Sequence, residues 1–141
     1  MIIWIASYPK SGNTYLRSFL ASYYYSDEGK FNFNHLLNIK QFPNLKFSKF
    51  QALTKEEASQ NWIFNQNEFF KKENLNLTKT HNCLYPFRGN QFTSSNLSLG
   101  AIYIVRDPRN VITSLTHHYS LNYEQALNHM INEESSLLET T

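Results

Sequence analysis

Three segments of the sequence place basic side chains where an apolar run gives way to a loop. The first is Ser7-Tyr8-Pro9-Lys10-Ser11-Gly12-Asn13-Thr14, which precedes a helical pattern. The first amides of a helix have no partner within it, and the helix dipole adds about half a positive charge there, so a phosphate or sulfate suits that position. Lys10 supplies a full charge, and Ser11 and Thr14 supply hydroxyl donors. Gly12 lets the backbone approach an anion closely.

This first segment is not a standard P-loop, because that pattern needs Gly-Lys-Ser/Thr at the helix start and Lys10 lies two residues before Gly12. An ordinary turn with a solvated lysine is the alternative interpretation.

The other two segments are Lys79-Thr80-His81 and Arg106-Asp107-Pro108-Arg109, with Ser114 on the helix that follows. Strand alternation puts Lys79 and His81 on one side, and histidine suits proton transfer near neutral pH. Arg106 suits bidentate recognition of a phosphate. The alternative for His81 is a surface or structural role, which is the more common one for a lone histidine. The alternative for Arg106 is an ion pair with a carboxylate such as Asp107.

Alternating strands and helices position these segments. The apolar runs and alternating patterns predict strands at residues 2–6, 75–80 and 101–105. Helices are predicted at residues 13–25, 35–39, 54–73, 108–119 and 123–132. The buried face of the first helix is predicted to consist of Leu16, Phe19, Leu20, Tyr23 and Tyr24.

This order of elements predicts an α/β fold with a P-loop-like parallel sheet flanked by helices. Ligands of such sheets bind beyond the carboxyl ends of the strands. We therefore expect Lys10, Lys79 and Arg106 to surround one anion, or two anions of one ligand.

Composition excludes several classes of protein. The chain has 141 residues, 41% of them hydrophobic, which predicts one folded domain rather than disorder. Its net charge of +2 is too small to argue for bulk nucleic-acid binding, and its apolar runs are shorter than the ~20 residues of a membrane helix. Cys83 is the only cysteine, so no internal disulfide forms and a cytoplasmic location is expected. Adjacent His117 and His118 lack a carboxylate at ligand spacing, and no metal site is predicted.

The three segments, in this order, resemble those of the sulfotransferase family, enzymes that use 3′-phosphoadenosine 5′-phosphosulfate (PAPS) as sulfonate donor. The resemblance implies that Lys10 binds the oxygen bridging phosphate and sulfonate and stabilises the leaving group. His81 would be the general base for the acceptor, and Lys79 would help neutralise the sulfonate. Arg106 and Ser114 would hold the 3′-phosphate. The 5′-phosphate would lie against Ser11, Gly12, Asn13 and Thr14.

Tyr15 stands where the family often has a tryptophan that stacks near the adenine. The resemblance implies a small-molecule or carbohydrate hydroxyl as acceptor, no nucleic acid or membrane as partner, and no metal, because lysines and helix amides supply the electrostatic stabilisation. Phe31, Phe33, Phe42, Phe47 and Phe50 are candidate lining residues of an apolar acceptor pocket.

Residues 1–141 are expected to form the N-terminal portion of a family domain, because the glycine- and lysine-containing segment that usually follows is not found after Ser114. A sheet cut short would expose an apolar edge and favour a complementing chain or a homo-oligomer. Two alternatives stay open: a non-catalytic remnant that binds PAPS or its product, and a P-loop kinase-like protein that binds Mg-ATP.

Overall fold

A four-stranded parallel sheet forms the centre of the fold in the computed structural model, which describes residues 1–44, 54–70 and 74–132. The strands lie in the order β2-β3-β1-β4 and span Ile2–Ser7 (β1), Lys40–Gln41 (β2), Asn76–Thr80 (β3) and Ser98–Ile104 (β4). The α-helices are α1 (Asn13–Tyr25), α2 (Lys55–Gln60), α3 (Trp62–Phe69), α4 (Pro108–Tyr119) and α5 (Tyr123–Ile131), and a 3₁₀ helix spans Phe33–Asn38. The predicted α/β fold with a parallel sheet and flanking helices is confirmed.

Strand β1 lies inside the sheet and divides the core into two faces. Ile2 and Trp4 point to one face, where they pack in a cluster with Phe42, Trp62, Phe70, Phe92 and Leu97. Ile5 points to the other face and packs against Ala21 of α1. The side chains of β1 are thus buried on both faces of the sheet. A continuous apolar run is the pattern expected of such an interior parallel strand.

A buried polar network ties the first face together. The indole Nε1 of Trp4 donates to Ser98 Oγ at 2.7 Å, and Thr93 Oγ1 lies 2.8 Å from the same hydroxyl. Thr93 Oγ1 in turn donates to Gln66 Oε1 at 2.7 Å, and Gln66 Nε2 donates to the carbonyl of Phe92 at 2.6 Å. Ser98 therefore donates to Thr93, and the network joins α3, the 92–97 loop and β4.

Thr78 and Thr93 form a matched pair for measuring what such hydrogen bonds contribute. Thr78 is 0% exposed, and its Oγ1 has no hydrogen-bond partner among the described residues. Thr78→Val should leave the free energy of unfolding unchanged or raise it by up to about 1 kcal/mol, whereas Thr93→Val should lower it by about 1–3 kcal/mol. Urea denaturation of both variants checks this, and a larger loss for Thr78→Val than for Thr93→Val would contradict it.

The single helix predicted at 54–73 is wrong, because it divides at Asn61. The Asn61 amide side chain donates to the carbonyl of Glu57 at 2.8 Å, and its backbone leaves the helical region at φ −101° and ψ 1°. Asparagine competes with helix hydrogen bonds in this way. The predicted capping box at Thr54 and Glu57 is confirmed, and the predicted helix end at residues 71–73 lies outside the described residues.

The predicted buried face of α1 is right for two residues and wrong for three. Leu16 and Leu20 pack against the Ile5 cluster, whereas Phe19, Tyr23 and Tyr24 are 66%, 73% and 58% exposed. The helix contacts the sheet along one narrow stripe, so the aromatic side chains around it face outward.

Strand β4 forms one edge of the described sheet. Leu99, Tyr103 and Val105 on and beside it are 61%, 69% and 75% exposed, so an apolar edge of the kind predicted is present. Association with a second chain stays a prediction. No helix among the described residues is long and apolar enough to cross a membrane.

Candidate functional site

Three neighbouring strands end at one edge of the sheet and bring the predicted segments together. β3, β1 and β4 are adjacent and parallel, with Ala6 opposite Thr80 and Ser7 opposite Ile104. His81 therefore follows the end of β3, the loop of residues 8–12 follows the end of β1, and Arg106 follows the end of β4. The carboxyl ends of parallel strands are where ligands bind in such folds.

The loop of residues 8–12 holds two residues in the left-handed region. Lys10 has φ 65° and Gly12 has φ 103°. Lysine in this region costs about 1–3 kcal/mol, and strain of this size is typically kept at functional positions. Gly12 begins α1 and has no side chain to cap the first amides of the helix. A Cβ at Gly12 would meet nothing within 4 Å, so the main chain at this residue is open to a close approach. Uncapped amides at a helix start suit an anion.

Tyr8 anchors this loop to the helices that follow the third strand end. Its ring packs against the cluster of Val111, Leu115 and Ala126 on α4 and α5. The pKa of Tyr8 is raised above its ordinary value, mainly by burial and to a lesser extent by the neighbouring Tyr119. Its hydroxyl therefore stays protonated at neutral pH.

His81 is fixed to the end of β1. Its Nδ1 lies 2.7 Å from the carbonyl oxygen of Ser7 and 3.3 Å from Ser7 Oγ. A carbonyl can only accept, so Nδ1 is the donor in this contact. In a neutral ring that tautomer puts the lone pair on Nε2, the nitrogen that a general base would use.

Asn13, a predicted phosphate ligand, turns its side chain inward. Its Nδ2 donates to the carbonyl of Ile5 at 2.9 Å and to Ser7 Oγ at 3.1 Å, and the residue is 4% exposed. Any contact of Asn13 with an anion must therefore come from its main-chain amide.

Lys79 lies on the sheet face that α1 covers, since it stands opposite Ile5 in the register and Ile5 packs against α1. The lysine is 9% exposed, and its Nζ donates to Gln41 Oε1 on β2 at 2.9 Å. β2 lies on the opposite side of β3 from β1. This side chain is therefore directed toward Gln41 rather than toward the loop of residues 8–12 (the Lys10 loop).

Arg106 joins the third strand end to the first. Its guanidinium donates to the main-chain carbonyl of Lys10 at 2.9 Å. The carboxylate of Asp107 instead pairs with Arg109, at 2.6 Å from its guanidinium, and accepts from the Arg109 backbone amide. Hydrogen bonds from the Arg109 side chain and, to a lesser extent, from its backbone amide lower the pKa of Asp107. The alternative pairing of Arg106 with Asp107 is thus not the one that the structure shows.

The remaining predicted ligands differ in their exposure to solvent. Ser11 is 7% exposed and buried at the start of α1, whereas Tyr15 is 81% exposed. Thr14 is exposed and Ser114 is half-buried on α4. The structure thus unites the Lys10 loop with Arg106, and His81 with the end of β1, while Lys79 points toward β2.

The sequence interpretation missed Ser7 and Gln41. Ser7 is the one polar residue in an apolar strand, which is a signal that could have been used. Gln41 lies on a two-residue strand with no periodicity to reveal it.

The predicted apolar acceptor pocket is not assembled by the described residues. Phe42 is buried in the core, 1% exposed, while Phe31 and Phe33 are exposed and contact each other edge to face. Phe47 and Phe50 lie outside the described residues. Within the ranges given above, no group of three or more His, Cys, Asp and Glu side chains could hold a metal ion.

Comparison with known protein families supports one assignment. The model of the family described as "Sulfotransferase domain" matches residues 2–140. No curated protein and no solved structure matches the chain significantly. Since the family model spans nearly all of the 141 residues, the chain belongs to the sulfotransferase domain family.

Proposed function

We propose that this chain transfers the sulfonate group of PAPS to a hydroxyl group of an acceptor. The observation that carries the proposal is the contact of Arg106 with the Lys10 main chain, beside the contact of His81 with Ser7. A lysine, an arginine and a histidine from three strand ends thereby share one edge of the sheet. Family membership supports sulfonyl transfer in general, and these contacts support PAPS as donor.

The loop of residues 8–12 and the start of α1 are the proposed site for the 5′-phosphosulfate end. The uncapped amides after Gly12, with the hydroxyls of Ser11 and Thr14, would donate hydrogen bonds to the phosphate oxygens. The exposed ring of Tyr15 is open to stack on the adenine.

Arg106 and Ser114 are the proposed site for the 3′-phosphate. A guanidinium has five N–H donors, and the contact with Lys10 engages one nitrogen. The other donors can bind a phosphate while that contact keeps the two donor subsites at a fixed separation.

His81 and Lys10 act on the reacting atoms. His81 Nε2 takes the proton of the acceptor hydroxyl as its oxygen forms a bond to sulfur. The bond between sulfur and the bridging oxygen breaks in the same step, and the electron pair stays on the phosphate of the departing 3′,5′-adenosine bisphosphate (PAP). Lys10 stabilises that negative charge. Lys79 adds only a more distant positive charge, because its Nζ donates to Gln41 on β2.

A transfer assay tests the proposal. Purified protein is incubated with PAPS and EDTA, and with a panel of phenols, alkyl alcohols and monosaccharides as acceptors. We expect PAP to be released and an acceptor to gain one sulfonate group, both detected by mass spectrometry. PAP release no faster than in the His81→Asn variant, across the panel, would contradict the assignment, and so would phosphate transfer from Mg-ATP.

Arg106→Ala should weaken PAP binding by about 10- to 150-fold, corresponding to the about 1.5–3 kcal/mol of a charged hydrogen bond. Arg88→Ala is the matched control, because that guanidinium pairs with Glu56 on α2 and lies in no proposed subsite. Titration calorimetry with PAP measures both affinities. Equal affinities for the two variants would remove Arg106 from the donor site.

A further inference from the structure

We infer that the outer face of α1 is the interface of a homodimer, in which this face of one copy packs against the same face of a second copy. The inference goes beyond the proposed function and does not rest on it. The juxtaposition that carries it is a set of exposed aromatic side chains beside an apolar groove, called here the aromatic face: Phe19, Tyr23, Tyr24, Phe31 and Phe33.

The side chains of the aromatic face form one continuous surface. Phe19, Tyr23 and Phe31 line the same groove, between α1 and the segment that follows it. The ring centre of Tyr24 lies 5.0 Å from that of Tyr23, and the ring centre of Phe33 lies 4.9 Å from that of Phe31. Single exposed hydrophobic residues are normal on a protein surface, but a contiguous apolar patch marks an interaction site.

The area of the aromatic face is sufficient for a dimer. Its five residues are between 44% and 76% exposed, and an aromatic side chain buries about 150–250 Å². Full burial of the face would therefore remove about 500–800 Å² from water in each copy, or about 1,000–1,600 Å² in a pair. A specific interface needs at least about 1,000 Å².

The shape of the aromatic face suits contact with a copy of itself. Phe19 and Tyr23 are four residues apart on α1, so their side chains form a ridge along the helix. The small residues Ser18, Ser22 and Gly29 line the groove beside this ridge. In a two-fold dimer the same patch faces itself, so the ridge of each copy can enter the groove of the other.

The polar groups of the groove are already satisfied within α1. Ser18 Oγ donates to the carbonyl of Thr14 at 2.8 Å, and Ser22 Oγ donates to the carbonyl of Ser18 at 3.0 Å. An apolar partner can therefore cover these hydroxyls without leaving a buried donor unpaired. Sites for small molecules instead direct a few polar groups at the ligand to orient it. This difference favours protein side chains as the occupant.

The distribution of charge favours a second copy over a lipid surface. None of the described residues that line the groove is charged, and this matters near a two-fold axis, where a charged residue would meet its own copy. On the segment beside the groove, Glu28 pairs with Lys30 at 2.6 Å, and Asp27 adds a further negative charge. Acidic residues therefore outnumber the lysine there, which opposes contact with an anionic membrane.

Sedimentation equilibrium of the whole chain, from about 1 to 100 µM, tests the inference, since interfaces of this size associate at micromolar concentration or below. We expect a dimer for wild type. Phe19→Glu and Tyr23→Glu should each raise the dimer Kd by at least about 100-fold, because each places two carboxylates across the two-fold axis. Both residues are largely exposed, so both variants should keep the circular dichroism spectrum of the wild type.

Tyr103→Glu is the matched control for pairing through the sheet edge. Tyr103 is 69% exposed on β4, and the variant should dimerise as wild type does. A wild-type protein that is monomeric at the highest concentration would overturn the inference. So would a dimer that Tyr103→Glu disrupts and Phe19→Glu does not. A monomer that sediments with phosphatidylcholine vesicles, and loses this property in Phe19→Glu, would overturn it in favour of a lipid surface.

Crosslinking locates the contact independently. In a Cys83→Ser background, which removes the exposed native thiol, a short bis-maleimide should join Ser22→Cys on α1 to its copy. Asn67→Cys, at an exposed position on α3, should stay uncrosslinked. Crosslinked dimers of Asn67→Cys in the absence of any from Ser22→Cys would place the interface elsewhere and overturn the inference.

Discussion

His81→Asn is expected to lower kcat by about 10²- to 10⁴-fold, the factor that a positioned general base provides. An asparagine amide can donate to the Ser7 carbonyl as Nδ1 does, but it has no nitrogen that accepts a proton. The hydrogen bond to the Ser7 carbonyl is kept while the base is lost, so the affinity for PAP should stay within twofold of wild type. Steady-state kinetics with PAPS and titration calorimetry with PAP measure the two quantities.

His117→Ala is the control for this variant. His117 is exposed near the far end of α4, about 13 Å along the helix from Pro108 at 1.5 Å per residue. Its removal should leave kcat unchanged. Full activity in His81→Asn, or an equal loss in His117→Ala, would show that His81 is not the base.

Lys10→Gly is expected to slow transfer strongly without destabilising the protein. Loss of the ammonium at the leaving group should lower kcat by about 10²- to 10³-fold, as loss of one electrostatic stabiliser does in other active sites. Glycine adopts φ 65° without the strain of a lysine, so the free energy of unfolding should be equal or up to about 1 kcal/mol higher. Kinetics and urea denaturation measure these opposite changes.

Ser120→Gly is the matched control for the backbone effect. Ser120 ends α4 in the same left-handed region, at φ 54°, and it belongs to no proposed subsite. The substitution should stabilise the protein by a similar amount while leaving kcat unchanged. If Lys10→Gly were clearly less stable than wild type while Ser120→Gly was not, the strain assigned to Lys10 would be wrong.

The meeting of Lys10, His81 and Arg106 at one edge could be predicted, because it follows from strand order and a general rule. Apolar runs end just before the Lys10 loop and Arg106, a short alternating segment ends just before His81, and parallel strands align their carboxyl ends. Rotamers and hydrogen-bond partners are set by neighbours that are distant in the sequence. This is why the inward turn of Asn13 and the anchoring role of Ser7 appear only in the structure.

The direction of the Lys79 side chain could not be predicted from the sequence for a related reason. Its partner Gln41 lies on a strand of two polar residues, Lys40–Gln41, which has no alternation to distinguish it from a loop. The aromatic residues of α1 show the same limit. Phe19 and Tyr23 have the spacing of a buried face, yet spacing does not reveal how wide a stripe the sheet covers, and both are exposed.

The loop of residues 8–12 and Arg106 are linked to each other in the structure. Arg106 holds the carbonyl of Lys10, and Lys10 is the strained residue of the loop. A ligand that contacts both would use an arrangement already present in the free protein, which lowers the entropic cost of binding.

Titration calorimetry of the wild-type chain with PAP in EDTA tests the central claim most directly, namely that the three strand ends form one site for a 3′-phosphorylated, 5′-phosphorylated adenosine. The account predicts saturable binding of one PAP per chain without Mg²⁺, weakened by removal of the Lys10 or the Arg106 side chain. A folded protein that takes up no PAP at millimolar concentration, or that binds it only with Mg²⁺, would contradict the account.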